Sequence, residues 1–150
     1  MLHHVIVALI ASTSIHIQPP KWFPDLLTCS FSKGTSAILE RTKQSIARTD
    51  DNLRLDLYEF NWSRKTARMS GNQSKVDVVI LSANETAVTM AEYIDDGSLQ
   101  ITVVYGSKTS QGAFNAVHSR HSEMMDVPIP SQYYGSCHRR ANLVHKNEKD

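Results

Sequence analysis

The chain has 150 residues, with 16 Lys and Arg against 15 Asp and Glu, 41% hydrophobic residues, six Gly, five Pro and two Cys. These proportions fit one compact domain with a single core and exclude disorder throughout. A net charge of +1 excludes, on bulk charge, a strongly cationic nucleic-acid binder.

The first feature along the chain is the apolar run Val5 to Ala11, followed by the small residues Ser12, Thr13 and Ser14. The run is too short to span a bilayer and has the form of a signal-peptide apolar region with a cleavable end, although His3 and His4 stand where Lys or Arg is usual. Residues 1–14 are therefore expected to be a signal peptide and 15–28 an extended leader; the alternative is a buried first strand. Asn61-Trp62-Ser63, Asn72-Gln73-Ser74 and Asn84-Glu85-Thr86 are glycosylation sequons, which lean towards secretion. Cys29 and Cys137 are the sole cysteines and belong to no zinc or redox motif. In an oxidising compartment they would pair and close a loop of about 100 residues; in a cytosolic domain they would be two buried thiols.

After Cys29, the segment Thr35 to Thr49 has apolar residues at Ala37, Ile38, Leu39, Ile46 and Ala47, spaced like one face of a helix. The period then changes to two, with Leu53, Leu55 and Leu57 alternating with polar neighbours as in a half-buried strand. Arg64 to Ser70 reads as a loop or weak edge strand. Val76 to Leu81, Ala87 to Ile94, Leu99 to Tyr105 and Ala113 to His118 read as further strands. Asp95-Asp96-Gly97-Ser98 forms a turn in which Gly97 can take a positive φ. Leu53, Leu55, Leu57, Val78, Ile80, Ile101 and Val103 are expected in one core beneath a helix face carrying Ile38 and Ile46. The fold class expected is α+β, one N-terminal helix on a four- to five-stranded antiparallel sheet, with residues 29–137 as the domain and 138–150 as a mobile polar tail.

With a cysteine before the helix and another near the end, this order resembles the microbial guanyl-specific ribonuclease fold, most closely in the hairpin Glu92 to Tyr105 and in Val78-Val79-Ile80-Leu81-Ser82. The resemblance implies a carboxylate, a histidine and a cation at the catalytic positions. Here those positions fall at Asp77, Tyr105 and Met90, so the acid and the cation are missing and only a residual cleft is implied. A secreted chain of this kind with lost catalytic residues is similar to the ribonuclease-like effectors of powdery-mildew fungi, although Leu27-Thr28-Cys29 lacks that family's aromatic. That likeness implies a monomeric, non-catalytic protein without cofactor or membrane anchor. It would be secreted and translocated into a host cell, would bind host protein or RNA, and would be recognised by plant immune receptors.

Other readings compete. One is an active secreted ribonuclease or toxin using His118, paired with Glu59 or Glu92. Another is an intracellular adaptor domain. His118 and His121 have a metal-binding spacing on a helix but no third ligand nearby. Tyr133 and Tyr134 with Arg139 and Arg140 could contact bases or protein, or pack the chain end onto the core.

Overall fold

The computed structural model describes residues 17–40, 43–49, 52–71 and 75–140. They contain nine strands and no helix: β1 (Leu27–Leu39), β2 (Gln44–Thr49), β3 (Leu53–Asn61), β4 (Thr66–Ser70), β5 (Lys75–Ala83), β6 (Ala87–Tyr93), β7 (Leu99–Lys108), β8 (Phe114–Met124) and β9 (Val127–Arg139). All pairings are antiparallel between spatial neighbours, in the order β2-β1-β3-β4-β5-β6-β7-β8-β9, and β9 returns to pair with β1. The result is a closed eight-stranded barrel with β2 as an added strand. On one edge β1 pairs first with β3, over Leu27 to Phe31, and then with β2, over Gly34 to Leu39.

The expected α+β fold with its N-terminal helix is overturned. The segment read as a helix is the end of β1 and all of β2, joined as a hairpin in which the Glu40 N–H donates to the Lys43 carbonyl. Ile38 and Ile46, placed on the helix's buried face by periodicity, are exposed. Two physical facts decide against a helix. The segment is rich in Thr, Ser and Ile, which lose rotamer freedom or compete with the backbone in a helix. In addition, β1 is held against β9 through Ser36, a pairing with the far end of the chain.

The short periodic strands are otherwise where alternation puts them, and Gly97 takes φ 90° in the β6–β7 turn. The core list holds for Leu55, Leu57, Val78 and Ile80, which are buried, and Leu53 packs against them. It fails in β7, where Thr102 and Val104 are buried, while Ile101 and Val103 share the opposite, outward parity. The segment expected as a leader belongs to the fold from Ile17 onward, since Ile17 and Phe23 lie in the core. The expected signal peptide, Asn72 and the tail beyond Arg140 lie outside the described residues.

β9 was not legible because Pro128 and Pro130 argue against a strand. They are tolerated because the β1–β9 ladder stops at Ser36–Ser131, so beyond it β9 is an edge that needs no donor on that side. The β8–β9 hairpin closes on Met125 and Asp126, both at positive φ, 51° and 61°, as a two-residue turn matched to strand twist requires.

Strand direction alternates around the barrel, so its two ends differ. At one end the chain entering β1 folds back, with Phe23 N–H donating to the Pro20 carbonyl, and stops the lumen with rings. Phe23 stands edge-on to Phe60 and Trp62 at 5.0 and 5.6 Å, and Trp22 lies 5.3 Å from Phe114. Leu27, Cys29, Phe31, Leu57, Ile80, Met90, Val88 and Val104 fill the middle of the barrel. An eight-stranded barrel is narrow enough for side chains to fill it, or to leave room for one small ligand.

Cys29 and Cys137 are directly opposed on β1 and β9 and form a disulfide, with Cα atoms 3.9 Å apart. Both are fully buried, so the bridge crosses the seam between the first and last barrel strands from within.

Candidate functional site

Towards the end opposite the plug, the inward positions of β6, β7 and β8 change from apolar to polar. Val104 pairs with Ala116, Thr102 with His118, and Gln100 with Arg120, while Glu92 faces Gln100 across β6–β7. On the far side of β8, Tyr133 lies opposite His118, and Ser131 opposite Arg120. Because side chains alternate with period two, this register puts Glu92, Gln100, Thr102, His118, Arg120, Ser131 and Tyr133 on the lumen face. Together they form a polar cup above an apolar floor.

His118 is at the bottom of the cup and has no exposed surface. Thr102 Oγ1 is 2.9 Å from its Nδ1, and Gln100 Oε1 is 3.1 Å from its Nε2. Burial, reinforced by the Arg120 guanidinium, holds the imidazole pKa down at about 4 from the ordinary 6.5. The ring is thus neutral near pH 7, with one donor and one acceptor. Nδ1 is hydrogen-bonded to the Thr102 hydroxyl, and Nε2 faces both the Gln100 carbonyl and the Arg120 Nε–H, so the tautomer sets which of the latter two it engages. Arg120 Nε–H donates to Nε2 at 3.4 Å when that nitrogen carries no proton, and its charge disfavours protonation of the ring.

Arg120 also stacks on Tyr133, with its Cζ 5.2 Å from the ring centroid. Glu92 shares the rim; burial raises its carboxyl above the usual range and the Arg120 charge pulls it partly back. The three ion pairs found among the described residues involve Arg68 and Arg140, so Arg120 is paired with no carboxylate there. A depression of about 570 Å³ lies beside the cup, lined by Leu39, His121, Glu123, Pro128, Pro130 and the Asp96–Ser98 turn. It brings together mostly outward-facing side chains and lacks the cup's converging polar groups.

The neutral His118 makes stability depend on pH. The unfolded imidazole takes a proton near pH 6.5 that the folded one refuses until about 4, so this contribution is complete above pH 6.5 and is lost as pH falls towards 4. The gap is worth about 3 kcal/mol. Urea titrations at pH 7 and at pH 4.5 should show the parent weakened much more than His118→Gln; parallel losses in the two proteins would disprove the assignment.

The residues singled out by the ribonuclease resemblance do not come together. Met90 is buried in the lumen, whereas Tyr105 is on the outer surface and Asp77 is exposed there with Arg68 Nε 3.3 Å away. Of the two carboxylates considered for His118, Glu92 shares the cup, and Glu59 stands outside it, 3.9 Å from Arg68. His118 and His121 have opposite parity on β8, and no group of three His, Cys, Asp or Glu among the described residues could hold a metal ion. Tyr133 is buried in the cup, while Tyr134 is exposed. Arg139 is exposed, and Arg140 pairs with Asp56 at 3.6 Å. Asn61 and Asn84 are exposed at turns.

Sequence reasoning missed Gln100 and Arg120. The available signal was the polar parity Gln100-x-Thr102 in β7 and His118-x-Arg120 in β8, which the apolar Ile101 and Val103 masked. In comparisons with known proteins, no family model, no curated protein and no solved structure matches this chain.

Proposed function

We propose that the protein is a secreted, non-catalytic binding protein that holds a small molecule through one anionic group in the barrel mouth. The observation that carries this reading is Arg120, a guanidinium drawn half into the lumen, stacked on Tyr133 and without an ion-pair partner among the described residues. Glu92 acts on this cation only from beyond ion-pair distance, so the cation's partial burial is costly, and carboxylate or phosphate oxygens can offset that cost through paired N–H donors. Gln100 and Ser131 supply neutral polar neighbours.

The other groups in the cup support binding more than chemistry. His118 is neutral with both ring nitrogens engaged, and both thiols are tied up in the disulfide. RNA would need several cations in register with its phosphates; the cup offers one. The disulfide and the exposed sequons support an oxidising, secretory destination.

The test is NMR titration of labelled protein with hexanoate, benzoate and phenyl phosphate. At least one probe should shift the Gln100, Thr102 and Arg120 resonances, and Arg120→Gln should weaken that probe about tenfold or more, the usual worth of a charge-assisted hydrogen bond. Arg120→Lys should restore part of the affinity. No response to any probe, or equal affinity in Arg120→Gln, would refute the reading.

A further inference from the structure

We infer that Asn61 and Asn84 are N-glycosylated, and that both glycans stand at the plugged end of the barrel, away from the mouth. The two asparagines end one strand and begin a turn at that end: Asn61 closes β3, and Asn84 follows β5. Both are exposed.

The two sequons share a hydroxyl bond from two residues on and an N–H bond from three residues on. Asn61 Oδ1 accepts from the Ser63 hydroxyl at 2.9 Å and from the Arg64 N–H at 3.0 Å. Asn84 Oδ1 accepts from the Thr86 hydroxyl and the Thr86 N–H, each at 2.8 Å, and from the Ala87 N–H at 3.0 Å. In each case only the carbonyl oxygen is used. The amide nitrogen, which is the atom a glycan would occupy, makes no hydrogen bond among the described residues. Asn115, which is in no sequon, instead donates through Nδ2 to Ser107 Oγ at 3.1 Å.

The middle residue Trp62 turns the other way, into the plug, stacking 5.6 Å from Phe60. Asn61 is thereby fixed outward by a residue that the core holds. Modification at either site would displace no packing and break no hydrogen bond among the described residues. The Cys29–Cys137 disulfide independently favours the oxidising compartment in which such transfer occurs.

The transfer is balanced. The Asn amide nitrogen forms a bond to the anomeric carbon of a lipid-linked oligosaccharide pyrophosphate, the carbon–oxygen bond to pyrophosphate breaks, lipid pyrophosphate leaves, and the amide gives up one proton. No oxidant or reductant is needed.

The full chain is to be expressed in a eukaryotic secretory host, and protein from medium and cells treated with peptide N-glycosidase in heavy-oxygen water, which converts each glycosylated asparagine to a labelled aspartate. Labelling at both Asn61 and Asn84 is expected. Ser63→Ala should abolish label at Asn61 alone and Thr86→Ala at Asn84 alone, leaving each asparagine in place. Exported protein with neither position labelled overturns the inference, as does full-length chain that stays unmodified inside the cell; label at one site overturns it for the other.

Discussion

Replacing Gly135 by alanine should destabilise the barrel by at least about 3 kcal/mol, the scale of a severe overpacking defect. A Cβ at this position would overlap the Ser30 carbonyl oxygen and lie 2.8 Å from a Phe31 ring carbon and 2.9 Å from the Phe31 Cα. Two of those three atoms are backbone, so no rotamer change relieves the clash. Gly135 sits opposite Phe31 where β1 changes register, between Phe31 and Lys33, so relief would require β1 and β9 to move apart next to the disulfide. The matched control is Gly71→Ala, whose Cβ would meet nothing closer than the Leu55 Cδ2 at 3.5 Å, an ordinary contact. Urea unfolding should show a large loss for Gly135→Ala and a change within about 1 kcal/mol for Gly71→Ala. Equal, small effects would mean that the seam is not packed as described.

Removing the disulfide should have an effect of similar size by a different route. Cys29 and Cys137 are 108 positions apart, so their bond constrains most of the unfolded chain. Chain-entropy reasoning assigns roughly 4 to 5 kcal/mol to such a loop. The double variant Cys29→Ala, Cys137→Ala also loses two fully buried sulfurs at the seam. The expected result is a lower urea midpoint together with a steeper dependence on urea, because the uncrosslinked denatured state exposes more surface. A lower midpoint with an unchanged slope would show that the bridge acts through packing in the folded barrel instead.

Several strands were legible because alternation is a local signal. Val78 and Ile80, like Leu55 and Leu57, repeat every second residue, and Asp95-Asp96-Gly97-Ser98 interrupts the pattern where the chain must reverse. The same signal misled at β7. Ile101 and Val103 are apolar and yet outward, paired with Ala91 and Ser119 and with Thr89 and Val117 on the outer face. β-Branched residues are favoured there by cross-strand contact. The inward Gln100 and Thr102 are polar because they approach the mouth. Burial and hydrophobicity part company where inward side chains hydrogen-bond to one another, and period-two counting cannot detect that.

Taken alone, the sequence determined the alternating strands around Leu53–Leu57, Val76–Leu81, Ala87–Ile94, Leu99–Tyr105 and Ala113–His118 and the positive φ at Gly97, and it left the two cysteines as either a bridge or two buried thiols. Each of the features determined follows from local pattern. The tertiary structure decided the rest. Pairing of β1 with β9 turned an expected helix into a strand, made a strand of a proline-bearing segment and closed the sheet on itself. Closure gave every strand an inside and an outside, and only then did Glu92, Gln100, Thr102, His118, Arg120 and Tyr133, drawn from four strands, meet in one cup. The physical reason is that a strand's edges carry the same donors and acceptors whatever its neighbour. Which edges meet depends on contacts across more than a hundred residues of chain, as between Cys29 and Cys137, and no local window contains them.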